Sequence, residues 1–390
     1  MIPTLGPCRS RARFRPVGSL VGALDSPAKT EILGVFLRTT RAALLALLLV
    51  LCAGCTQSAD GAARGAGGTW GAGPTAGATV AKPDVPTVAQ LLHPDGDYFG
   101  VSTVGSPQPQ ETASVVAAAG QHPTILEYFR NWTQPFDADA VRESWHEGAV
   151  PLLTWEPASQ SKAADQPQYA LKRIADGAFD TYVTQYALAV KAVGLPVIIR
   201  FAHEMNGNWY PWSEQNSGNA PGDYVRAWRH VHDVFTNAGV TNAIWLWSPN
   251  TVRGTPEQSV QPYFPGVDYV DMVGVDAYGF GEKTAQEVLD PTVVQLQALT
   301  RKPILIAETG AQPGAEQAGW TASLFTWLHR HPQVVGFVWF EHSVAEGAWH
   351  DYRFTVDPAT EAAFRAGLAG MTLRSWPVAS VLPSAAASSG

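Results

Sequence analysis

Two glutamates stand where chemistry is to be expected. Glu204 follows the apolar run Pro196–His203, and Glu308 closes the run Pro303–Glu308. Aromatic residues crowd both. Trp209, Tyr210 and Trp212 come just after Glu204, and Trp339 and Phe340 close a later apolar run. Two carboxyl groups facing one gap suit the cleavage of a glycosidic bond. One, protonated, gives its proton to the leaving oxygen; the other, ionised, attacks or activates water. Aromatic rings stack on the apolar faces of sugar rings and leave the hydroxyls to polar groups. Taken singly, a glutamate at a strand end is more often a helix cap or an ion-pair member, and it is the pairing and the surroundings that raise these two above that reading. Other chemistries fail on their motifs. His203-Glu204 begins like H-E-x-x-H, but Gly207 stands at the second histidine position, so no zinc site is expected. His329 and His331 do not converge on a metal, and no G-x-S-x-G is present for a serine nucleophile. Neither a metal nor any other cofactor is expected.

Positioning two such groups falls to a regular scaffold. Eight apolar runs recur: Tyr98–Thr103, Pro123–Phe129, Val150–Trp155, Pro196–His203, Ala243–Trp247, Val270–Asp276, Pro303–Glu308 and Val334–Phe340. Several are continuous Val, Ile, Leu and Phe, as strands buried on both faces are. Amphipathic stretches lie between them at Ala138–Glu147, Tyr169–Val193, Gly222–Ala238, Thr284–Thr300 and Gln317–Arg330, and Val193-Gly194-Leu195-Pro196 reads as a helix stop followed by a strand start. This rhythm predicts an α/β chain folded as a single (β/α)8 barrel, in which catalytic groups sit at the C-terminal ends of the strands. The fourth and seventh strands would then bring Glu204 and Glu308 to one mouth from opposite sides. A doubly wound sheet is the alternative, but Phe99-Gly100-Val101-Ser102 supplies no dinucleotide-binding glycine pattern after the first strand.

The chain has 390 residues, of which 46% are hydrophobic, ample for a large core. Its formal net charge of -8 argues against a nucleic-acid partner, which needs a concentrated basic face. Three cysteines exclude a disulfide scaffold. The apolar stretch Ala42–Ala53 follows Arg38 and Arg41 and is too short to span a bilayer as a helix. It reads as a signal segment, and Leu51-Cys52-Ala53-Gly54-Cys55 resembles a bacterial lipobox, with Cys52 where Leu is usual. Residues 1–54 are therefore expected to be a lipoprotein-type signal region, with a start that reads as over-extended. They hold seven Lys/Arg against two Asp/Glu, which leaves the rest of the chain more acidic than the whole. Residues 55–83, rich in Gly, Ala, Ser and Thr, are expected to form a flexible linker, 84–372 the catalytic domain, and 373–390 a disordered tail. Contact with a membrane is expected only through a lipid anchor at Cys55, for a monomer that is extracellular or held at the cell surface.

The string His203-Glu204-Met205-Asn206-Gly207, with Trp209, Trp212 and the preceding Arg200, closely resembles the acid/base motif of glycoside hydrolase family 26, the β-mannanase family. Trp247-Ser248-Pro249-Asn250, Asp276-Ala277-Tyr278-Gly279, Ala307-Glu308-Thr309-Gly310 and Gly336-Phe337-Val338-Trp339-Phe340 match further motifs in the family's order. The resemblance covers about residues 95 to 355. It implies a (β/α)8 barrel and a retaining double displacement, with Glu204 as general acid/base and Glu308 as nucleophile. It also implies that His203 is a subsite histidine, that Tyr278 contacts the nucleophile, and that Trp209 and Trp339 are sugar platforms. Glu341 departs from the pattern, since Asn often follows Trp-Phe in the family. It could be a substrate contact, a modulator of the pair or a surface residue. The substrate implied is a polysaccharide or oligosaccharide, β-1,4-mannan first, with mixed-linkage β-glucan, β-1,3-xylan or an envelope polysaccharide as alternatives. A non-catalytic glycan-binding lipoprotein is the alternative from another class, and the retention of both glutamates argues against it. Read without the resemblance, His203 could be a satisfied core histidine, the tryptophans core packing, Tyr278 a hydrogen-bonded core residue and Glu156 a loop anchor.

Overall fold

The computed structural model describes residues 85–252 and 259–375. Residues 1–84, which take in the whole of the expected signal region and linker, and residues 376–390, most of the expected tail, lie outside the described residues. After a short helix, α1 (Val88–Leu92), the chain alternates strand and helix: β1 (Tyr98–Ser102), α2 (Pro109–Ala119), β2 (Ile125–Asn131), α3 (Ala138–His146), β3 (Val150–Glu156), α4 (Leu171–Ala175), α5 (Asp180–Val193), β4 (Val197–Phe201), α6 (Asp223–Asn237) and β5 (Ala243–Trp247). It continues with β6 (Met272–Gly279), α7 (Ala285–Leu299), β7 (Ile304–Ala311), α8 (Gln317–Arg330), β8 (Val334–Phe340) and α9 (Pro358–Ala369). The strands pair in chain order, all parallel, and β8 closes onto β1, which gives the closed eight-stranded barrel read from the sequence.

Local chemistry sets the boundaries. Thr284 and Glu287 form a reciprocal capping box at the start of α7, and Asp137 and Asp357 cap α3 and α9 through their side chains. Gly194, with φ of 67°, ends α5 in the left-handed conformation that glycine adopts most readily, as the sequence predicts. The stretch read as one helix over Tyr169–Val193 is two helices. The break falls at Gly177, whose φ of 83° no helix accommodates. The chain also stays paired slightly beyond the boundary drawn at residue 372. Leu373 bridges Asp97, and the amide of Arg374 donates to the Asp97 carbonyl at 2.8 Å.

Hydrogen bonds across the barrel identify the side chains that face its axis. Thr154 of β3, Glu127 of β2 and Arg200 of β4 meet there. The residues between point outward to the helices. Trp155 is fully buried and stacks on Tyr186 of α5, with ring centroids 4.3 Å apart. One irregularity matters for the site. Val275 of β6 pairs with Ile306 of β7, but Asp276 pairs with Glu308, so β7 carries one extra residue, Ala307. Such a bulge re-aims the side chain that follows it, here Glu308.

Candidate active site

The mouth at the C-terminal ends of the strands opens into a cleft of about 590 Å³, lined by Glu204, Glu308, Trp209, Tyr278, Phe340 and Trp349 among others. Glu204 reaches it from an unusual turn. Ala202 and Glu204 both have positive φ, 46° and 51°, which costs a residue with a Cβ about 1–3 kcal/mol. The surroundings hold the turn in place. The Glu204 amide donates to the Ser248 carbonyl at 2.8 Å, the indole of Trp212 to the His203 carbonyl at 2.6 Å, and the Tyr224 hydroxyl to the Ala202 carbonyl at 3.1 Å.

The two carboxyl groups have different partners. Trp209 donates its indole N–H to Glu204 Oε2 at 2.7 Å, and the Asn250 amide donates to Oε1. Asn250 is itself fixed by a reciprocal pair with Asn206, at 2.9 and 2.8 Å. Burial, joined by the negative charge of Glu308, pushes the Glu204 carboxyl up to about 7. Glu308 accepts from the Arg200 guanidinium at 2.6 Å and from the Tyr278 hydroxyl at 2.7 Å. Arg200 has no exposed surface and also pairs with Glu127, at 3.0 Å, and with Asp276. One cation thus faces three carboxyl groups. Burial pushes Glu127 up to about 8 and Asp276 well above the usual range, although Arg200 opposes both.

Of the six residues singled out from the sequence, four line this cleft: Glu204, Glu308, Trp209 and Tyr278. Trp209 is 38% exposed, so a ring face remains available, and its other contact explains Gly207: a Cβ there would sit 2.4 Å from the indole. Two expectations are corrected. Trp339 has no accessible surface; its indole donates to the Tyr352 carbonyl and packs edge-on against Phe354 and Phe364. A ring so enclosed cannot stack on a sugar, and its neighbour Phe340 lines the cleft instead. His203 is also fully buried. Its Nε2 shares a hydrogen bond with the Tyr210 hydroxyl at 3.1 Å and lies 3.9 Å from Glu308 Oε1. Burial and the nearby Arg200 hold it well below its ordinary pKa, so it is a neutral ring that positions Tyr210 and does not touch the cleft. Glu341 is settled too: it accepts from the amides of Phe354 and Thr355 and from the Thr355 hydroxyl, and so anchors the turn behind Tyr352. Trp349, on the same loop, stands 87% exposed at the cleft edge.

Sequence reasoning passed over Asn250, Arg200, Glu127 and Asp276 as working groups. The last three carried a signal, a single charge inside an otherwise apolar strand. Among the described residues no group of three or more His, Cys, Asp or Glu is arranged to hold a metal ion.

Comparison with known proteins agrees with this architecture. The family model described as Glycosyl hydrolase family 26 matches residues 153–313. Endoglucanase H of Acetivibrio thermocellus is 30% identical over 291 residues, covering 69% of this chain and 31% of that protein. The mannan endo-1,4-beta-mannosidase of Bacillus subtilis is 26% identical over 273 residues, covering 62% of this chain and 70% of that one. The chain therefore spans only about a third of the first relative. Among solved structures, a beta-mannanase from Bacteroides ovatus superposes with a TM-score of 0.57 at 19% identity over 73% of this chain and 92% of that one. Bacillus subtilis mannanase man26 gives 0.54 at 22% identity over 74% and 89%. With the motifs in order along the barrel strands and the family model spanning both glutamates, residues 153–313 match glycosyl hydrolase family 26.

Proposed function

We propose that the protein is an exported, retaining glycoside hydrolase that cleaves internal β-1,4-mannosidic bonds by double displacement. The observation that carries the reading is the contrast between two carboxyl groups in one cleft. Glu204, pushed up to about 7, keeps its proton through mildly acidic conditions. Glu308 instead accepts hydrogen bonds from a guanidinium and a phenol, which fix its carboxyl in the cleft. In the first step Glu308 attacks the anomeric carbon while Glu204 gives its proton to the glycosidic oxygen. The bond to the leaving sugar breaks and a glycosyl ester of Glu308 forms. In the second step Glu204, now ionised, takes a proton from water. The hydroxide attacks the same carbon, and Glu308 leaves as carboxylate with the original configuration restored. Tyr278 and Arg200 hold Glu308 for both displacements, and Asn250 and Trp209 hold Glu204.

A second reading, the same mechanism on a β-glucan, is favoured by one observation: the relative at 30% identity is an endoglucanase by name. Reducing-sugar release from galactomannan, glucomannan, barley β-glucan and β-1,3-xylan separates the two readings, and release from none by a folded protein refutes both. Glu308→Ala should abolish turnover. Glu204→Ala should cripple substrates with poor leaving groups and spare the first step on activated aryl glycosides. Export and a lipid on Cys55 belong to the same proposal. Labelling with a fatty-acid analogue, lost in Cys55→Ser, is the expected result.

A further inference from the structure

Glu156 has no part in the chemistry above, yet it stands at the barrel mouth. It ends β3, in register with Asn131 of β2. Thr154, two residues earlier, faces the axis, where it meets Glu127 and Arg200. Strand alternation puts Glu156 on that same side, one layer nearer the opening. The side chain is partly exposed, and among the described residues no hydrogen bond or ion pair engages its carboxyl. Burial together with the charge of Glu308 pushes it up to about 7, and its own charge acts on Tyr210 in the cleft lining. An acid crowded against a second acid, desolvated and left without a partner, weakens the fold. Glu341 makes the contrast plain. It is also pushed up to about 7, but it holds two backbone amides and a hydroxyl, whereas Glu156 holds nothing.

We propose that Glu156 is a specificity-determining contact, hydrogen-bonded to adjacent hydroxyls of the neutral hexopyranosyl ring that lies against Glu308. This rests on the glycosidase reading. The two carboxyl oxygens can engage a vicinal hydroxyl pair. Mannose and glucose differ only in whether the C2 hydroxyl is axial or equatorial, so a two-point contact at this ring distinguishes them. The site takes uncharged sugars and gains nothing from an anionic ligand, because the charge of Glu308 already acts on it.

The test uses Glu156→Ala and Glu156→Gln in the full chain. KM and kcat are measured on galactomannan and barley β-glucan. Affinity for mannohexaose and cellohexaose is measured by tryptophan fluorescence in a Glu308→Ala background. Glu156→Ala should raise KM about tenfold or more and weaken oligosaccharide binding alike. It should also change the mannan-to-glucan rate ratio and leave the melting temperature unchanged or higher; Glu156→Gln should retain part of the affinity. Unaltered affinity and rate ratio, or a melting temperature lowered by several degrees, would overturn the inference. Should the parent protein cleave neither polymer, the glycosidase reading fails and the fluorescence titration still decides on Glu156; binding of neither oligosaccharide by the parent counts against it.

Discussion

Trp209→Phe should move the alkaline limb of the rate–pH profile upward by about one unit. The indole N–H of Trp209 lies 2.7 Å from Glu204 Oε2. That bond favours the ionised carboxyl and opposes burial and the Glu308 charge, which push Glu204 up to about 7. A hydrogen bond to a charged group contributes about 1.5–3 kcal/mol. Trp209 is 38% exposed, so water replaces part of the loss and the lower figure applies. At about 1.36 kcal/mol per pKa unit, 1.5 kcal/mol is roughly one unit. The sign follows from the role. Glu204 works protonated in the first step, activity falls as pH rises through its pKa, and a higher pKa carries activity to higher pH. The assay is kcat/KM against pH on a substrate with a poor leaving group, where protonation is needed and the free enzyme's pKa is reported. A limb that stays in place, or moves down, would refute both the assignment of Glu204 and the part given to Trp209. Asn250→Ala, which removes the other donor, should shift the limb in the same direction.

Arg200→Met should destabilise the fold by about 3–5 kcal/mol, because it strands buried carboxyl groups of Glu127, Asp276 and Glu308. At about 2–3 °C per kcal/mol that is a fall of roughly 6–15 °C in melting temperature by calorimetric scan. Gly207→Ala should cut kcat/KM about tenfold with little loss of stability, since a Cβ at 2.4 Å displaces the Trp209 ring and with it the bond to Glu204. The buried glutamates set a pH trend. Glu127 at about 8 and Glu204 at about 7 lie above the unfolded value, so the stabilisation is complete below that value and is lost as pH rises through 7 and 8. Melting temperature measured across that window should fall; a flat or rising profile would contradict the shifts.

The sequence carried the barrel and the glutamate pair because both are written locally. Long apolar runs mark strands buried on both faces, and Glu204 and Glu308 each stand at the end of one. Facing was harder to read. A strand buried on both faces lacks the apolar–polar alternation that tells inside from outside, so nothing in the run itself bars Trp339 from meeting a sugar. Only the pairing of β8 decides that Phe340 turns inward and Trp339 outward. His203 failed for a related reason: the left-handed turn at Ala202 and Glu204 sends neighbouring side chains in directions that no strand periodicity predicts. Glu341 was ambiguous because its partners, Phe354 and Thr355, lie on a loop more than ten residues further on.

The lone guanidinium of Arg200 among so many acids has a thermodynamic consequence for ligand uptake. Displacing water from the cleft beside this cluster makes the ionised form of Glu204 less favourable still. An uncharged chain entering the cleft should therefore draw hydrogen ions from solution, although it carries no titrating group itself. The heat released on association would then differ between phosphate and Tris buffers by an amount set by their ionisation enthalpies, and the slope of that dependence would count the protons taken up.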